Sequence, residues 1–176
     1  IELLSMEGLM LNSGYTNLLK NGQEFTPPQA NLLVSGFNHD DWKEYQDVMY
    51  RLVKAYDFNC YGDADAAIIF SSSAIEGFLM VTELLIRVRE RNEDYDIALR
   101  RVKRKSLSDL ISSALTLYGL NADNSSQRTA YGQWHHRCYK KRNDIIHRQG
   151  LYQPTDSRPA IDASARLMLH VCNTVK

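Results

Sequence analysis

From Asp40 onward, apolar side chains return at intervals of three and four residues through most of the chain, the spacing of one buried face of an α-helix. Trp42, Tyr45, Val48, Met49, Leu52, Val53 and Tyr56 form the first such stripe, with Asn38 or Asp40 as its cap and Gly62 near its end. A longer stripe over about Asp63 to Asn92, through Ala67, Ile68, Ala74, Ile75, Phe78, Leu79, Leu84, Leu85 and Val88, predicts the central helix. Ser106 and Asp109 pattern as a capping box opening a short helix, Leu107 to Tyr118, that stops at Gly119. Asn121 to Gln127 is a polar loop. A further helix is expected from about Arg128 to Arg148, ended by Gly150, and a last one from Ala160 to Val175 after a loop holding Pro154 and Pro159. Nothing demands a strand, and the expected class is an all-α bundle of about five helices.

Residues 1–38 read differently. Gly14, Gly22, Pro27, Pro28 and Gly36 interrupt every apolar cluster, so this region is expected to be an irregular arm or the tail of an upstream domain, with the helical domain over 39–176. The chain opens with Ile1 rather than methionine, as a fragment of a longer polypeptide would.

With 176 residues, one domain is the default. The chain is neutral overall, but residues 1–86 carry 4 basic and 12 acidic side chains and residues 87–176 carry 17 and 9. Only the second half, at net +8, is suited to meet phosphate. Cys60, Cys138 and Cys172 form no CxxC pair and fit reduced, buried thiols in a cytoplasmic protein. No run approaches the roughly twenty uninterrupted apolar residues of a membrane span, so no membrane partner is expected.

Several groups invite chemical readings. Ser71, Ser72 and Ser73 fit close helix approach, and Glu76 and Glu83, seven apart on one face, fit polar contacts or solvation rather than a carboxylate pair for metal. His135, His136 and Cys138 lack a second ligand cluster, so neither metal nor cofactor is expected. Tyr131, Tyr139 and Tyr152 fit core tyrosines with a polar tip better than base-stacking platforms. The run from Arg100 to Lys105 fits either a solvated face or an RNA-backbone surface, with Arg101, Lys103 and Arg104 as its contacts.

The sharpest feature is Lys140-Lys141-Arg142-Asn143-Asp144-Ile145-Ile146-His147-Arg148. On an ideal wheel with Trp134 at zero, Trp134, Cys138 and Ile145 fall within roughly 40° as a core stripe, while His136, Lys140, Asn143 and His147 gather at about 180–240°. Arg142 sits at about 80°, at the boundary, with a side chain long enough to swing across. Cleaving RNA without a metal needs a group of near-neutral pKa to take the 2′-hydroxyl proton, another to protonate the leaving oxygen, and a cation for the phosphorane. Within the segment one copy supplies one such histidine, His147; two copies about a two-fold axis supply both. The alternative reading is an ordinary surface with an Asp144–Arg148 ion pair.

Arg142-Asn143, three residues, then His147, late in a helical bundle and followed by a closing helix, resembles the motif of the HEPN family: arginine, four to six residues, histidine, with a polar residue after the arginine. The Ala74-Ile75-Glu76-Gly77-Phe78 stretch of the long helix and the Ser106-to-Leu110 segment extend the resemblance over about Asp40 to Lys176. It implies a HEPN-like bundle and a homodimeric, metal-independent endoribonuclease, the effector of a toxin–antitoxin, abortive-infection or other antiviral defence system. Arg142, Asn143 and His147 would then be catalytic, with Lys140, Lys141, His136 and Arg148 binding RNA. An antitoxin or an upstream sensor domain is a further expected partner. Some members of the family keep the fold only to dimerise or to bind nucleotide, RNA or protein, which leaves a non-catalytic module as the other expectation.

Overall fold

The computed structural model describes residues 42–118, 126–148 and 150–174, and all regular structure among them is helical. The protein is an all-α bundle: α1 (Trp42–Cys60), α2 (Ala64–Arg89), α3 (Tyr95–Lys103), α4 (Leu107–Tyr118), α5 (Ala130–Trp134), a π-helical turn (His135–Tyr139), α6 (Lys140–Arg148) and α7 (Pro154–Thr174). The expected N-terminal arm, the cap at Asn38 or Asp40, the stop at Gly119 and most of the Asn121–Gln127 loop lie outside the described residues.

α2 is the centre, touched by α1, α3, α4, α6, α7 and the π turn. Asp63 starts it by accepting the Ala66 N–H at 3.0 Å, which satisfies one of the free donors of the first turn. Ala67, Ile68, Ala74, Ile75, Phe78, Leu79 and Leu84 are buried along it, as the periodicity required. Small residues decide how closely its neighbours come. Ser71 Oγ lies 2.7 Å from Ser164 Oγ of α7, and a Cβ at Gly77 would stand 3.3 Å from Val48 of α1. Past Arg89, Asn92 takes a left-handed φ of 51°, a conformation asparagine tolerates better than most residues, and the chain turns into α3. By length and mean hydropathy α2 also qualifies as a membrane span, but 67% of that stretch is buried inside the bundle, so its apolar surface is used as core.

Three features depart from the sequence reading. The last helix begins at Pro154, six residues earlier than expected. Proline is accepted at the first helical position, where its missing N–H has no partner to lose, and Pro159 frees only the carbonyl of the exposed Thr155. Asp156, in the first turn, reaches back to the Gln153 N–H at 3.2 Å and closes the start. α3 was not foreseen as a separate element; Asp94 caps it through the Ile97 N–H at 3.1 Å. Cys60 is exposed rather than buried, whereas Cys138 is buried and burial pushes the Cys172 thiol up to about 11. Of the two outcomes expected for Glu83, polar contacts hold: at 1% exposure its Oε1 accepts from Arg87 at 2.8 Å and from Lys105 at 2.6 Å.

That carboxylate joins three segments. Arg87 reaches on to Glu93 at 2.9 Å, Lys105 to Ser113 of α4, and Arg101 to the other oxygen of Glu93. Burial disfavours the Arg87 charge, yet Glu83 and Glu93 outweigh it and raise its pKa. Removing one partner from such a cluster leaves charge in low dielectric, so Glu83→Ala is expected to cost about 3 kcal/mol. Urea denaturation measures this, and a change below about 0.5 kcal/mol, the size of an ordinary surface effect, contradicts it.

Candidate functional site

The segment bearing the motif enters the core before it reaches the surface. Thr129 caps α5 by accepting the Gly132 N–H at 2.9 Å, and Gly132 packs so near the Ser126 carbonyl that any Cβ would overlap it. Tyr131, Trp134 and Cys138 are buried, with Cys138 Sγ 3.7 Å from Ser71 Oγ on α2. Between them the helix widens to a π turn, with the Lys140 N–H returning to the His135 carbonyl five residues back. A π turn holds one residue more than an α turn. Every side chain beyond it is therefore rotated by about 100° from its place on an ideal wheel started at Trp134.

This corrects the single stripe drawn from His136 to His147. Trp134 and Cys138 are core as expected, but Ile145 is only partly buried; His136, Arg142 and Asn143 are half-buried, and Lys140 and His147 are exposed. His135 stacks on Tyr139 with ring centroids 5.3 Å apart, and burial, then Lys140 and His136, lower its pKa. It therefore stays neutral near neutral pH. Lys140 donates to His136 Nδ1 at 3.4 Å, which places His136 behind Lys140.

Beyond the π turn, α6 forms one wall of a cleft of about 450 Å³ lined by Lys140, Lys141, Asn143, Asp144, His147, Arg148 and Tyr152. Asn143 and His147, four apart, share the face that borders it. Arg142 stands outside the lining and donates from Nη1 to Asn143 Oδ1 at 2.9 Å, so it is joined to the cleft through the amide. Lys141 is an internal clamp rather than a free cation: its ammonium meets Asp156 Oδ1 at 2.9 Å and lies 5.3 Å from the centre of the Tyr152 ring. Lys140 and Arg148 are the exposed cations of the lining.

Tyr152 closes the cleft from the loop after α6. Its backbone N–H donates to Asp65 Oδ1 of α2 at 3.0 Å, and its hydroxyl donates to Asp144 Oδ2 at 3.0 Å. Burial first, and then the hydrogen bond to the Asp144 carboxylate, raise the Tyr152 pKa. Asp144 thus belongs to Tyr152, and the ion pair with Arg148 suggested by their spacing does not form. The roles of Asp65, Asp144 and Asp156 escaped the sequence reading, because their partners lie across loops or on other helices and no spacing announces them.

The second basic group lies elsewhere. Lys103 and Arg104 are exposed at the end of α3, and Arg101 is bound to Glu93. The cleft sits beside Asp65, at the start of α2, and α3 beside Arg87, near its end; at 1.5 Å per residue the two regions are about 30 Å apart. One copy of the chain does not bring Arg101, Lys103 and Arg104 to the cleft. Among the described residues no group of three or more His, Cys, Asp or Glu is arranged to hold a metal. Comparison with protein-family models, curated proteins and solved structures gives no match.

The Lys141 clamp sets a pH expectation. The hydrogen bond from Lys141 and that from the Gln153 N–H hold the Asp156 carboxyl below the usual carboxylate range. Its stabilisation is therefore complete above the unfolded value and disappears as pH falls through the lower folded value. The Asp156 carboxyl carbon, followed by NMR, should titrate below the usual carboxylate range and return to that range in Lys141→Ala; titration within the usual range in the unaltered protein contradicts the clamp.

Proposed function

We propose that this chain is a metal-independent endoribonuclease of HEPN type, whose active centre is completed when two copies bring their α6 helices together. The observation that carries the reading is the cleft itself: Asn143 and His147 border it side by side, Lys140 and Arg148 supply positive charge, and Arg142 is hydrogen-bonded to Asn143. In the reaction, a neutral imidazole takes the proton from a ribose 2′-hydroxyl, the 2′-oxygen attacks phosphorus, and the bond to the 5′-oxygen breaks. The departing oxygen takes a proton from a second histidine in its protonated, imidazolium form, which becomes neutral, leaving a 2′,3′-cyclic phosphate and a 5′-hydroxyl. His147 provides one imidazole and His147 of the partner subunit the other. Arg142 stabilises the charge that builds on the phosphorane oxygens.

Exposed apolar side chains flank the motif. Ile146 is 46% and Leu151 87% exposed on either side of His147, the kind of surface a second copy covers. The role in a toxin or antiviral defence system, a cytoplasmic setting, and an antitoxin or sensor partner follow from the resemblance to the family.

One observation favours a second reading. Arg142 is half-buried, stands off the cleft lining and is held by Asn143, an arrangement that also suits a module binding nucleotide, RNA or protein without cleaving.

Incubating labelled single-stranded RNA with the protein in EDTA separates the two. The nuclease reading expects cyclic-phosphate ends, a loss of about a thousandfold in rate for His147→Ala, and about a hundredfold for Arg142→Ala. Binding without cleavage supports the module, and equal cleavage by wild type and His147→Ala overturns the assignment of His147.

A further inference from the structure

We infer that Asp144 accepts a hydrogen bond from a ribose 2′-hydroxyl in the cleft and so makes the cleft select RNA over DNA. The inference rests on the reading of the cleft as the nucleic-acid site and assigns it a selecting residue.

Asp144 is the one carboxylate among the residues lining a cleft that otherwise presents Lys140, Lys141, Asn143, His147, Arg148 and Tyr152. A negative charge in that position opposes a polyanion. It is nevertheless held there from two sides: Tyr152 donates to Oδ2 at 3.0 Å, and Gly150 follows so closely that any Cβ would strike the carboxylate. The Gly150 N–H returns to the Asp144 carbonyl at 3.4 Å, which keeps the loop folded against it. Among the described residues no donor reaches Oδ1.

A carboxylate oxygen only accepts, so nucleic acid that covers Oδ1 and excludes water from it must offer a donor or leave it unpaired. Two kinds exist, base N–H groups and the 2′-hydroxyl. Base donors differ from nucleotide to nucleotide and lie away from the backbone. The 2′-hydroxyl is present in every ribonucleotide beside the phosphates, and Asp144 is next to Asn143 in sequence and one helical turn from His147. Deoxyribose has no such donor. DNA in the cleft therefore meets the repulsion of the carboxylate without the hydrogen bond that offsets it.

The test reads binding rather than cleavage, in the His147→Ala protein with EDTA and fixed salt, using a short fluorescent single-stranded RNA and the matching DNA. RNA should bind more tightly by about tenfold, the usual effect of a hydrogen bond to a charged group. Adding Asp144→Ala should tighten DNA binding and bring the RNA-to-DNA ratio close to one. Adding Tyr152→Phe instead removes the same hydrogen bond to the loop but keeps the carboxylate, and the ratio should persist. Equal changes in both affinities on Asp144→Ala overturn the inference, as does loss of the ratio on Tyr152→Phe, which would trace it to the loop. If neither nucleic acid binds, or Lys140→Glu and Arg148→Glu leave binding unchanged, the reading of the cleft fails and the inference with it.

Discussion

Burial of α2 is the constraint on which the other elements depend. A helix of 26 residues with this apolar content has to be wrapped, and α1, α7, the π turn and the short helices do so. The wrapping also positions the cleft and the charged cluster. Asp65 at the start of α2 holds the Tyr152 backbone, Ser71 meets Cys138 and Ser164, and Glu83 near its end collects Arg87 and Lys105. One helix thus anchors the cleft at one end and the charged cluster at the other.

The distance between those ends divides the basic side chains of the second half into two separate groups. Near α3, arginines and Lys105 are partly consumed in neutralising Glu83 and Glu93, so much of the positive charge there is structural. At the cleft, Lys141 is likewise matched by Asp156, which leaves Lys140 and Arg148 as the exposed cations of the lining. Net charge by segment located both basic groups in the second half of the chain. It could not distinguish a cation in an ion pair from one facing solvent, because that depends on contacts between residues far apart in sequence.

Helix identity was largely legible for the same reason that the core is regular: α1, α2 and α4 are single periodic stripes, and the Ser106–Asp109 box closes as its spacing required, with Ser106 Oγ 2.7 Å from Asp109 Oδ2. The candidate site was legible as a group of residues but not as a geometry. Wheel arithmetic assumes a constant rotation per residue, and the widened turn at His135–Tyr139 breaks that assumption just before the motif. Asn143 and His147 still meet at the cleft because both follow the turn and rotate together, whereas His136, which precedes them, ends up behind Lys140. The prolines misled in the opposite direction: read as loop formers, they occupy the first two turns of α7, where a missing N–H costs little.

The central claim is that nucleic acid meets this chain at the cleft formed by α6 and Tyr152. Hydrogen exchange of the His147→Ala protein with and without saturating single-stranded RNA tests it most directly. The account predicts protection centred on Lys140–Arg148 and the loop through Tyr152, with α3 little changed; protection centred on Arg100–Lys105, with the cleft unaffected, would contradict it.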